Sequence, residues 1–215
     1  MVYICKGALR CMICNLITKG RELVMTKERL LQTIQLYVKK GEKRSDFLRK
    51  VMAGYGENIS YFPKVMPLYP ELIKLHNNIV IASNVSFFMH DAIHVVLNRG
   101  GGGRRERIYP EAIGCVEIMD NVFVCANTTI LYGVRIGKNV VIGVHSLVNK
   151  DIEANAVYAG IPVKRICSFE EFSKKRLNME TIGVEKSQHI SKHEIEKPGR
   201  FLKITTWNRG LICQI

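Results

Sequence analysis

The chain has 215 residues, 47% of them hydrophobic, and a formal net charge of +13. That length and composition suit a globular protein with one sizeable core and appendages, and no window approaches the roughly 18 uninterrupted apolar residues of a membrane span. The charge points to anionic partners, such as nucleic acid, a membrane surface or a phosphorylated small molecule, without choosing among them.

The first eighteen residues, "MVYICKGALRCMICNLIT", hold Lys6 and Arg10 inside an apolar stretch and lack a small-residue cleavage site, so no signal peptide is expected. Seven scattered cysteines, an odd number, fit reduced thiols in the cytoplasm. Cys11 and Cys14 form a lone CxxC with no second pair to complete a zinc site. Further on, "TKERLLQTIQLYVKK" spaces Leu30, Leu31, Ile34, Leu36 and Val38 between charges, as an amphipathic helix does, and "RSDFLRKVM" predicts another. Residues 1–57 are thus expected to form a helical cap on the end of the neighbouring repeat region.

That region begins its clearest repeat at Cys115. In "CVEIMDNVFVCANTTILYGVRIGKNVVIGVHSLVNKDI", Ile118, Val124, Ile130, Ile136, Ile142 and Val148 stand six apart, and two places before each lies a small or β-branched residue. A 3.6-residue period would drift around a helix, and an unbroken strand would show a period of two without the "DN", "YG" and "GKN" punctuation. A chain that makes a short extended run, turns and repeats satisfies both, and three such runs per coil stack the aliphatic residues into one interior column. The fold class expected is mainly β, a parallel hexapeptide solenoid over residues 58–166, with a C-terminal helix and basic tail over residues 167–215. The earlier stretch "NNIVIASNVSFF" has the same texture in a different phase, with Ile79 six before Val85 and Ile81 six before Phe87. Between the two blocks, residues 91–113 include "NRGGGGRRER", whose consecutive glycines predict an extruded loop. His90, Asp91 and His94 stand where the coil gives way to it. Beyond the solenoid, "CSFEEFSKKRL" predicts a helix, and the sequence from Asn178 onward carries no motif.

Two stretches now carry a resemblance. "IMDNVFVCANTTILYGVRIGKNVVIGVHSLVNKDIEANAVYAGIPVKRI" resembles the hexapeptide-repeat acyltransferases, and "NNIVIASNVSFFMHD" resembles their active-site coil. The likeness covers about residues 58–166 and is nearest to the acetyltransferases of sugars in bacterial polysaccharide synthesis. It implies a left-handed β-helix, a homotrimer, acetyl-CoA as co-substrate, a sugar or nucleotide-sugar acceptor, and no metal, nucleic-acid partner or membrane span. Position by position, it implies that His90 is the general base and that Asn84 lines the same pocket. Ala126 and Val144 match coil corners along the pantetheine arm, Asn149 and Lys150 match a cofactor contact, and Lys164, with Arg165 beside it, matches a basic position near the nucleotide phosphates. Cys125, Tyr132 and His145 stand where the family more often has glycine, proline and glycine.

The chemistry asks for the same residue types. An imidazole is suited to taking a proton from a hydroxyl near pH 7, and the oxyanion formed at a thioester needs a preorganised donor, which a backbone N–H at a coil corner supplies. Asp91 is a candidate to orient the imidazole if the chain turns after His90, and His94 is a candidate acceptor contact. Two other readings use the same residues. A zinc enzyme of the γ-carbonic-anhydrase kind would draft His90, His94 and His145 as ligands, and a non-enzymatic module for an anionic polymer would use the charge alone.

Overall fold

The computed structural model describes residues 27–100 and 109–177. The Cys11 and Cys14 pair, most of the glycine and arginine run and the tail from Asn178 lie outside the described residues. Two helices come first, α1 (Lys27–Val38) and α2 (Glu42–Val51). Each turns an apolar side inward, so that Leu36 and Leu48 have no exposed surface and join the same core as the strands of the solenoid.

Twelve of the thirteen strands among the described residues build a three-sided coil. The first face holds β1 (Gly54–Tyr55), β3 (Ile73–Leu75), β6 (Val116–Ile118) and β9 (Val134–Ile136). The second holds β2 (Ile59–Tyr61), β4 (Ile79–Ile81), β7 (Val122–Val124), β10 (Val140–Ile142) and β12 (Ala156–Ala159). The third holds β5 (Ser86–Phe88), β8 (Thr129–Leu131) and β11 (Leu147–Val148). Every pairing between these coils is parallel. At the far end β13 (Lys164–Ser168) runs antiparallel to β12 and leads into a helix, which we call α4 (Phe169–Leu177). Cys167 and Ser168, expected in that helix, therefore belong to the strand.

All six residues of the expected column, Ile118, Val124, Ile130, Ile136, Ile142 and Val148, are fully buried, and Ile79, Ile81, Val85 and Phe87 continue it below. The change of phase between the two blocks has a simple origin. The stacked corner residues Asn121 and Asn139 are 18 apart, but Asn78 and Asn121 are 43 apart across the extruded segment, and 43 is one more than a multiple of six. The 25 extra residues leave the column without disturbing it, since β4 still pairs with β7 as Ile79↔Val122 and Ile81↔Val124.

The punctuation in the sequence marks the corners. Asn58, Asn78, Asn121, Asn139 and Asn155 each adopt a left-handed backbone conformation, φ 55 to 60°, one per coil. Asparagine tolerates that conformation better than other side chains that carry a Cβ. Their amides also form a ladder: Asn78 donates to Asn121 at 2.7 Å, Asn121 to Asn139 at 3.0 Å and Asn139 to Asn155 at 2.7 Å. A second corner stacks Asn84, Asn127 and His145, again at positive φ. His145 thus occupies a corner that favours glycine or asparagine, and its Nε2 lies 3.2 Å from the Asn127 amide. Cys125 is not among the residues of positive φ.

The described residues of the extruded segment, 91–100 and 109–113, include regular structure. Its two limbs are clamped at the base: Asp91 N–H donates to Ala112 C=O, Gly114 N–H donates to Met89 C=O, and His90 bridges antiparallel to Ile113. Between the limbs lies a helix, α3 (Ile93–Gly100), so the loop expected over residues 91–113 contains a helix and His94 stands on it.

Candidate active site

Each coil passes the junction between the third and first faces once, and the residues there stack along one edge of the prism. Tyr69, which precedes β3, is lowest; His90 and Asp91 lie above it; Tyr132, just before β9, comes next; Asn149 and Lys150 come last. The junction between the second and third faces forms a different edge, with Asn84, Ala126, Asn127, Val144 and His145.

His90 is held by its surroundings rather than by hydrogen bonds. Its side chain is 26% exposed, and Nε2 lies 3.8 Å from Glu111 Oε1 on the returning limb. Nδ1 is shielded from solvent and has no hydrogen-bond partner among the described residues. Tyr69 packs edge-on against the imidazole, 5.5 Å between centroids at 85°. Tyr69 itself takes a left-handed conformation, φ 59°, uncommon for a bulky side chain and a place where backbone strain is held by the surrounding fold.

Asp91 makes no hydrogen bond to His90 among the described residues. Its carboxylate turns to the neighbouring coil, where Oδ2 accepts from the Tyr132 hydroxyl at 2.6 Å, and Oδ1 accepts from Ile93 N–H at 3.1 Å at the start of α3. The Tyr132 hydroxyl, then the Ile93 amide, hold the Asp91 carboxyl below the usual carboxylate range. The same bond to a carboxylate pushes the Tyr132 phenol up, because ionising it would put two anions in contact. His94 is the second residue of α3, its Nδ1 also shielded and unpartnered among the described residues.

The expected site residues divide between the two edges. His90, Asp91, Asn149 and Lys150 share one; Asn84, Ala126 and Val144 share the other, with β5, β8 and β11 between. Lys164 pairs with Ala159, one residue before Gly160, whose C=O accepts from Leu147 N–H, so Lys164 stands near the second edge. Lys150, Lys164 and Arg165 are exposed. The backbone N–H groups of Ala126 and Val144 have no hydrogen-bond partner among the described residues, whereas those of Cys125, Asn127, Gly143 and His145 are all used. Beneath this corner Thr128 and Ser146, both buried, donate their hydroxyls to Gly143 C=O at 3.0 and 2.8 Å, which satisfies the polar atoms inside the column.

His145 lies on the opposite edge of the third face from His90, so one chain does not gather the three histidines of the zinc reading. Among the described residues there is no group of three or more His, Cys, Asp or Glu that could hold a metal ion. Glu111 and Tyr69, which meet His90, and Tyr132, which meets Asp91, are residues that the sequence did not assign to the site. Glu111 and Tyr69 become visible only through the pairing of the two limbs and the stacking of the coils, whereas Tyr132 had a signal in its departure from the usual proline.

No family profile matches the chain. Individual relatives do. Galactoside O-acetyltransferase of Lactococcus lactis subsp. lactis (strain IL1403) is 30% identical over 165 residues, which cover 64% of this chain and 74% of the relative. YvoF of Bacillus subtilis (strain 168), named as an acetyltransferase, is 33% identical over 122 residues, and there the chain spans 63% of the relative's length. Among solved structures, a maltose O-acetyltransferase from Clostridium difficile 630 has a TM-score of 0.50 at 25% identity, covering 68% of this chain and 89% of that one. The fold and its corners define a hexapeptide-repeat solenoid. The chain belongs to the hexapeptide-repeat acetyltransferases, and its coil is the left-handed β-helix of that family.

Proposed function

We propose that this protein transfers an acetyl group from acetyl-CoA directly to a hydroxyl of a sugar or nucleotide sugar, with His90 as the general base. The observation that carries the reading is the partly exposed, unbonded imidazole at the stem of the extruded segment, on a solenoid whose relatives are named as galactoside and maltose O-acetyltransferases. The acceptor oxygen attacks the thioester carbonyl carbon while its proton passes to the imidazole. A backbone N–H of the Ala126 or Val144 type steadies the oxyanion, since each lacks a partner among the described residues and needs no reorganisation. Collapse expels the thiolate of CoA, which recovers the proton from the imidazolium as free CoA thiol.

Base and oxyanion donors stand on different edges of one prism, so a complete site needs the His90 edge of one copy against the Ala126 and Val144 edge of another. This supports the homotrimer. Apolar surface facing outward on the third face at Phe88 (51% exposed) and on the second at Phe123 (40% exposed) supports it further. Lys150, with Asn149 beside it on the His90 edge, and Lys164 and Arg165 near the second edge are the proposed partners of the CoA phosphates, and Asn84 lines the groove from the second edge. Residues 1–57 act as the helical cap, 58–166 as the transferase unit and 167–215 as its C-terminal extension. The proposed setting is cytoplasmic, where acetyl-CoA is available and thiols such as Cys115 and Cys167 stay reduced, in the making of polysaccharide precursors. The test is thiol release from acetyl-CoA with a panel of galactosides, maltose and nucleotide sugars. Turnover with at least one sugar is expected, and a panel without turnover overturns the reading.

A further inference from the structure

Among the described residues the His90 ring has no hydrogen bond that fixes it, yet a general base must be held within a fraction of an ångström to work. What fixes its place is the chain on either side. On one side Gly114 N–H holds Met89. On the other, the 2.6 Å bond from the Tyr132 hydroxyl pulls Asp91 onto the next coil, and that same carboxylate takes Ile93 N–H as α3 begins. This side-chain hydrogen bond ties the stem of the extruded segment to the solenoid above it. Tyr132 itself is anchored, because Gly133, next in the chain, donates its N–H to Cys115 C=O as the chain enters β9.

We propose that Tyr132 is a positioning residue for acetyl transfer: its hydroxyl latches Asp91, and the latch sets where the His90 imidazole stands. The inference rests on His90 being the base. It gives Asp91 a role other than orienting the imidazole directly, and it gives a use to a tyrosine at a position where the family more often has proline. Neither the far edge of the third face, with Ala126 and Val144, nor Asn149 and Lys150 above Tyr132 contributes a bond to the latch, so its loss falls on kcat more than on acetyl-CoA binding.

Tyr132→Phe removes the hydroxyl and keeps the ring. The expected result is a fall in kcat of about ten- to a hundredfold, the scale of a small misplacement of a catalytic group. KM for acetyl-CoA changes much less than kcat, and the protein still melts cooperatively, with a melting temperature lower by no more than the few degrees that one lost, partly buried hydrogen bond accounts for. In an Asp91→Ala background, Tyr132→Phe lowers kcat no further, because the latch is already open; independent residues would multiply their losses. Wild-type kcat in Tyr132→Phe overturns the proposal, and so does a full additional loss in the Asp91→Ala background. A loss of kcat that comes with loss of cooperative melting, or that is matched by an equal rise in KM for acetyl-CoA, also overturns it, since that is the mark of a merely structural tyrosine. If the wild-type protein itself releases no thiol with any acceptor, the transferase reading fails first and takes this inference with it.

Discussion

Asn139 offers a measure of what the left-handed corners contribute. Its backbone sits at φ 55°, and its half-buried side chain accepts from Asn121 at 3.0 Å and donates to Asn155 at 2.7 Å. Asn139→Ala removes both bonds, each contributing about 0.5–1 kcal/mol net at such a site, and adds roughly 1 kcal/mol for a Cβ in the left-handed region without a local polar partner. The sum is roughly 2–3 kcal/mol, or roughly 5–10 °C in melting temperature for a chain of this size. Asn139→Gly loses the same two bonds but tolerates the conformation, so it should lose only about 1–2 kcal/mol. Thermal unfolding followed by circular dichroism measures both variants. Equal losses in Ala and Gly would refute the conformational part of the reasoning, and wild-type stability in Ala would refute the ladder as well.

Replacing His90 by Ala should leave fold and acetyl-CoA binding intact and lower turnover by roughly 10² to 10⁴, seen in the thiol-release rate; an unchanged kcat would remove His90 from the chemistry. Lys164→Ala should raise KM for acetyl-CoA with a smaller effect on kcat, because a phosphate contact remote from the thioester is uniform binding, and equal KM values would dissociate Lys164 from the nucleotide. Acid should also loosen the protein through its tied carboxylates. Asp91 is held low mainly by Tyr132, Glu117 by His76 and Lys74, and Asp120 by Asn77. Folded values below unfolded ones mean that this stability is present above the unfolded carboxylate range and is lost as pH falls through the folded values. Urea midpoints should therefore decline as pH drops through and below the ordinary carboxylate range, and a flat profile there would deny the three carboxylates that part.

The column was legible because a six-residue period has one compact solution, and Ile118 through Val148 spell it without a break. The asparagines were legible as punctuation but not as a hydrogen-bonded ladder, since nothing local says that Asn78 and Asn121, 43 residues apart, will meet. His90 could be picked out by its place between coil and loop. Its neighbours could not: Glu111 reaches it through pairing of the two limbs, and Tyr69 through stacking of one coil on the next. The short helix α3 was hidden by the glycines after it and by its unusual exposure, with Ile93, Val96 and Leu97 all facing outward. The partners of Asp91 were not legible either, because its bond to Ile93 depends on the turn into α3 and its bond to Tyr132 on the stacking of the coils.

The solenoid tolerates its 25-residue excursion because its cohesion runs between coils, along the prism axis, and not along the chain. Leaving and rejoining at neighbouring points, Met89 and Gly114, exacts only a closure entropy that grows slowly with length, about 0.6 kcal/mol for each doubling. Evolution can therefore lengthen, shorten or exchange the excursion while the register of β5 against β8 stays fixed. The scaffold acts as a socket: its corners cannot change without cost to the fold, whereas the insert is clamped at one edge and can be exchanged without moving the coils.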